Sequence, residues 1–173
     1  LHQQAQALFT ELSENDPGNP GYRRKIAVSY DRLADLAEAA GQADQARTLR
    51  HQAHAVYTEL SAADPDNAGY RHDLAVSCGR LADLAQAAGQ VDHARGFVQQ
   101  ALVIDEQLLA ADPGNPVYRR EVAVSYGRLA DLAMTAAQVG QARTLNEQAH
   151  AVFVELAAAE PGNRGCRREV AVS

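Results

Sequence analysis

Lysine occurs once in this chain, at Lys25, cysteine twice, and no apolar run reaches membrane-spanning length. Each scarcity excludes something. Acidic residues outnumber basic ones, 22 to 16, giving a formal charge of −6 and a pI near 5.5. A nucleic-acid footprint needs a basic face, so that class of partner is excluded, as is an anionic membrane surface. A membrane span needs roughly 18–20 consecutive apolar residues, and none is present. No basic-then-apolar secretion signal opens the chain. Because Leu1 is not an initiator methionine, the 173 residues are expected to belong to a longer protein. Abundant alanine and arginine beside a single lysine fit a high-GC bacterial coding bias.

What the chain does have is a repeat of 48 residues. Asp16-Pro17-Gly18-Asn19 returns as Asp64-Pro65-Asp66-Asn67, Asp112-Pro113-Gly114-Asn115 and Glu160-Pro161-Gly162-Asn163. Ile26-Ala27-Val28-Ser29 returns as Leu74-Ala75-Val76-Ser77, Val122-Ala123-Val124-Ser125 and Val170-Ala171-Val172-Ser173. Between residues 16–63 and 112–159, about 34 of the 48 positions are identical. A fixed period of this size marks a stacked-repeat solenoid, each unit burying its apolar face against its neighbours. At 46% apolar the chain can bury a continuous core as one domain. The two cysteines fit the repeat. Cys78 stands where other copies have Tyr30 and Tyr126, and Cys166 where they have Tyr22, Tyr70 and Tyr118. They lie almost two repeats apart, too far for the roughly 7 Å Cα separation of a disulfide. Both are expected as reduced, buried thiols, which fits the cytoplasm.

Each repeat carries two helical stripes. Tyr22, Ile26, Tyr30, Leu33 and Ala37 step by four, four, three and four; Ala46, Leu49, Ala53, Val56, Tyr57 and Leu60 form the second stripe. Asn19 before Pro20 and Asn115 before Pro116 read as N-caps followed by proline at the first helical position. Gly41 and Gly89 suit the left-handed residue that closes a helix. The Asp-Pro pair stops the second helix, since proline disfavours helical geometry in the residue before it. The spacing predicts helices over 20–40, 43–63, 68–88, 91–111, 116–136 and 139–159, with partial helices over 1–15 and 164–173. In the third copy, Ala136-Ala137-Gln138-Val139-Gly140 moves the turn glycine, so that hairpin is expected to be looser or differently closed.

These residues resemble the tetratricopeptide repeat, a helix–turn–helix unit of about 34 residues. The family's run of large aromatic, Leu, small residue and second aromatic appears as Tyr30, Leu33, Ala34 and Ala37, as Cys78, Leu81, Ala82 and Ala85, and as Tyr126, Leu129, Ala130 and Ala133, with only alanine in the second aromatic slot. Its turn glycine and spaced alanines appear as Gly41, Ala46, Ala53 and as Gly89, Ala94, Ala101. The 14 extra residues divide equally, lengthening each helix by seven, close to two turns. The later aromatic slot departs from the pattern, holding Arg50, Val98 or Asn146 with Leu49, Phe97 and Leu145 one place earlier. HEAT-like repeats are the structural alternative. The resemblance implies an all-α, right-handed superhelix of antiparallel hairpins whose first helices line a concave groove. It would place Val28, Asp31, Asp35 and Glu38 there, then Val76, Gly79, Asp83 and Gln86, then Val124, Gly127, Asp131 and Met134. The family's clamp for a peptide carboxylate uses lysine and asparagine; Asp35, Asp83 and Asp131 stand where it wants an amide, so that activity is expected to be absent.

Signs of catalysis are slight. His51 and His54 share a helical spacing but recruit no further ligand, so no metal or cofactor is expected. Ser29, Ser77 and Ser125 recur at the repeat period as small packing residues, whereas a catalytic group normally occurs once. The plainest reading of Asp35 is an ion pair with Arg32, repeated as Arg80–Asp83 and Arg128–Asp131. Such exposed helical pairs contribute about 0.2–0.5 kcal/mol each. The alternative is a groove for a cationic segment. The leading function is therefore a non-catalytic protein–protein interaction module whose partner is a protein or peptide with a basic segment. The alternatives are a regulatory segment of a larger bacterial signalling ATPase or transcription regulator, and a self-assembling structural repeat. Leu8, Leu12, Val170 and Val172 at the uncapped ends suggest weak head-to-tail self-association.

Overall fold

A computed structural model describes residues 19–159. The helices expected over 1–15 and 164–173, Cys166 and the apolar residues of the two ends lie outside them. The described residues form six helices and no strand: α1 (Pro20–Ala39), α2 (Ala43–Ala63), α3 (Ala68–Ala87), α4 (Val91–Ala111), α5 (Pro116–Thr135) and α6 (Val139–Ala159). Every boundary falls within a residue of the sequence reading, and the local chemistry explains why. Asn19 Oδ1 accepts from the Gly21 and Tyr22 amides at 3.0 and 3.4 Å; Asn67 Oδ1 accepts from Tyr70 N at 3.2 Å. Asn115 Oδ1 accepts from Val117 N at 3.0 Å. Each cap satisfies helix-end donors that have no partner inside the helix.

The hairpin turns are closed by one device. Gly41 and Gly89 adopt φ of 73° and 72°. Around Gly41, Gln42 N donates to Ala37 O at 2.8 Å and Gly41 N to Glu38 O at 3.0 Å, a Schellman closure. The third hairpin corrects the sequence expectation. Ala137 takes the left-handed conformation itself, at φ 58°, and the same two bonds form: Gln138 N to Ala133 O at 2.8 Å and Ala137 N to Met134 O at 2.9 Å. The turn is neither looser nor differently closed. Its carbonyl acceptors are satisfied as in the other copies, which offsets an alanine strain of about 1 kcal/mol.

The chain divides between Leu81 and Ala82 into two compact units. In the first, α1 packs on α2 across Ala27, Ala34, Ala37, Ala46, Ala53, Tyr57 and Leu60, all buried. In the second, α4 packs on α5 and α5 on α6. One cluster there joins Ala82, Ala85, Ala94, Val98, Leu129 and Leu132; another joins Ala123, Ala149, Phe153 and Leu156. Alanine dominates because a bare methyl lets two helix backbones approach closely. Ser29, Ser77 and Ser125 are buried among these residues. Cys78 is fully buried.

Candidate functional site

In the first unit, the side chain that organises the charges is Arg50. It stands in the later aromatic slot and is only 5% exposed. Slot position therefore prevailed over hydrophobicity, since Leu49 beside it is only partly buried. Arg50 Nη1 donates to Asp31 Oδ1 at 3.0 Å, Nη2 to Asp35 Oδ1 at 2.5 Å, and Nη2 to Glu38 Oε1 at 3.2 Å. Burial alone would lower its pKa, but the bonds to Asp35 and Asp31 carry it above the usual value. Asp31 is itself buried and holds two further donors on Oδ2: Arg80 at 2.5 Å from α3 and the Tyr57 hydroxyl at 3.1 Å from α2. Burial and the Asp31 charge push the Tyr57 phenol well above its ordinary pKa. Buried charges persist when paired and hydrogen-bonded on all sides, and here the pairing joins α1, α2 and α3. Arg24 adds a bidentate clasp to Asp73, at 2.5 and 3.0 Å.

The later copies of the repeat are built differently at the same positions. The counterparts of Asp31 are Gly79 and Gly127, and those of Arg50 are Val98 and Asn146. Acid and base disappear together, as they should if each is needed to neutralise the other. Arg128 is the counterpart of Arg80. It donates to Asp83 on α3 at 3.0 Å.

These contacts replace the expected intrahelical pairs. Arg80 and Arg128 reach back to acids of the preceding repeat, and Asp35 is held by Arg50 rather than Arg32. The reason is reach: a guanidinium bridging two helices gains packing and pairing together, whereas a pair three residues apart on one helix stays in water.

Of the groove residues implied by the family resemblance, Asp31 and Gly79 are buried. Val28, Val76, Val124 and Gly127 are partly buried. Asp35, Glu38, Asp83, Gln86, Asp131 and Met134 are exposed. Sequence reasoning missed Arg50, Tyr57 and Arg80 as partners of Asp31. The signal lay in the joint loss of Asp31 and Arg50 in the later copies. His51 is exposed, while His54 Nδ1 lies 3.2 Å from Ser77 Oγ. Among the described residues, no group of three or more His, Cys, Asp or Glu could hold a metal ion. No described helix is long and apolar enough to cross a membrane.

Repeated hairpins with matching caps, turns and buried slots define an all-α helical-repeat protein. No protein-family model and no curated protein matches the chain. Among solved structures, it is similar to BtubC (BKLC) from P. vanneervenii at 19% identity and a TM-score of 0.57, covering 99% of this chain and 69% of that one. That likeness concerns the fold. Two further structures are the DHF79 filament, at 13% identity, and the de novo designed helical repeat protein DHR64, at 12%. Each has a TM-score of 0.38, covers 98% of this chain, and is itself covered over 92% and 86% of its length, respectively.

Proposed function

We propose that this chain is a non-catalytic protein–protein interaction module of a cytoplasmic protein, recognising a protein or peptide segment that carries basic residues beside apolar ones. One observation carries the reading. On α1, Leu36 is 54% exposed between the exposed carboxylates Asp35 and Glu38; on α5, Met134 is 53% exposed one turn beyond exposed Asp131. A large apolar side chain flanked by acids suits a partner that covers the first and neutralises the second. The net charge of −6 favours the same class of partner by long-range steering. The resemblance to tetratricopeptide repeats supports a binding role on the first helix of each hairpin.

Titration with an amphipathic arginine-bearing peptide and its neutral counterpart, at low and high salt, tests the proposal. The basic peptide should bind more tightly, lose affinity with salt, and bind Asp131→Ala and Met134→Ala more weakly without a change in melting temperature. Equal affinity for both peptides would remove the acidic residues from any recognition role.

A further inference from the structure

Position 105 breaks the pattern of its own column. Its counterparts are Tyr57 and Phe153, both buried aromatics at the same point of the second helix. Asp105 fills that slot on α4, is only 3% exposed, and its Oδ1 has no hydrogen-bond partner. In the first unit the slot tolerates polarity because the Tyr57 hydroxyl donates to Asp31. A carboxylate donates nothing, and buried without a partner it is costly to ionise.

The charges on α4 and α5 do not relieve it. From α5, Glu121 is the acid whose field reaches Asp105, and it is paired with Arg120 at 3.3 Å. Arg128, also on α5, is engaged by Asp83 from the end of α3. On α4 itself, Glu106 is exposed and accepts from the Tyr126 hydroxyl at 2.8 Å.

We propose that Asp105 is a protonation-controlled latch, its neutral carboxyl allowing α4 to pack closed against α5 and its ionisation opening that packing locally. Burial first, and then the charge of Glu121, raise this carboxyl from 3.8 to about 7. The packed state therefore binds a proton that the opened state releases to solvent. The stabilisation is complete below the unfolded value of 3.8 and is lost as pH rises through about 7. Across that window the equilibrium for exposing Asp105 should rise by up to about tenfold per pH unit, then level off.

Two substitutions separate titration from packing. Asp105→Asn keeps size and polarity but cannot ionise; Asp105→Phe installs the residue type found at Phe153. Thermal melts and amide exchange, corrected for intrinsic rates, would be followed from pH 5 to 8 in the whole chain. The unaltered protein should melt progressively lower than Asp105→Asn as pH rises, with protection lost in α4 and α5 while α1 and α2 keep theirs. Asp105→Phe, where it folds, should diverge from the parent with rising pH as Asp105→Asn does. A constant difference between the parent and Asp105→Asn at every pH would overturn the latch. So would equal pH-dependent loss of protection in α1 and α2.

Discussion

Arg128 on α5 donates to Asp83, 45 residues earlier, at 3.0 Å, although Asp131 lies three residues ahead on its own helix. The pair therefore ties two repeats together rather than decorating one helix. It is half-exposed, so its worth is small. A double-mutant cycle of Arg128→Ala with Asp83→Ala should return a coupling of about 0.2–1 kcal/mol. The same cycle with Asp131→Ala should return none. Coupling to Asp131 alone would restore the intrahelical pair.

Arg50 and Asp31 belong to a different regime, because both are buried. Arg50→Val alone should destabilise the chain by about 3 kcal/mol, since it leaves Asp31 short of a counter-charge. Combining it with Asp31→Gly reproduces the pair that the next repeat carries as Val98 and Gly79. The double variant should cost at least about 1 kcal/mol less than the two single losses added together, as expected for residues in one network. Urea melts supply both numbers, and strict additivity would dissolve the network.

Ala137 holds a conformation that suits glycine. Ala137→Gly should stabilise the chain by about 1 kcal/mol, and Gly41→Ala should destabilise it by a similar amount. The closing hydrogen bonds are already formed in all three turns, so released strain is the whole effect. A destabilised Ala137→Gly would mean that the greater freedom of glycine in the unfolded chain outweighs it.

Acid should weaken the first unit through His54. Burial, and then the proximity of His51, lower its pKa from the ordinary 6.5. Its contribution is present above 6.5 and lost as pH falls through the lowered value. His54→Gln should therefore flatten the fall in melting temperature between pH 7 and pH 5. An unchanged acid limb would assign that fall to other groups.

The six described helices were legible in the sequence because their signals are local. Asn19 and Asn115 cap the turns that follow them, Pro20 and Pro116 accept the first helical position, and Gly41 and Gly89 end the helix a few residues away. Each acts within one turn of backbone, so the 48-residue period reports it directly. Ala137 shows the limit of that logic: backbone hydrogen bonding imposed the glycine conformation on a residue that does not favour it. The charges escaped the sequence reading altogether. Arg50 looks like a surface residue beside Leu49, yet its slot faces Asp31, and only the packing of α2 on α1 supplies the acids that let it be buried. Asp105 became an orphan by the same rule, since whether a buried polar atom is satisfied depends on helices distant in sequence. Local backbone chemistry decided where the helices begin and end; the approach of one helix to another decided which charges pair, because electrostatic partners are chosen by distance in space.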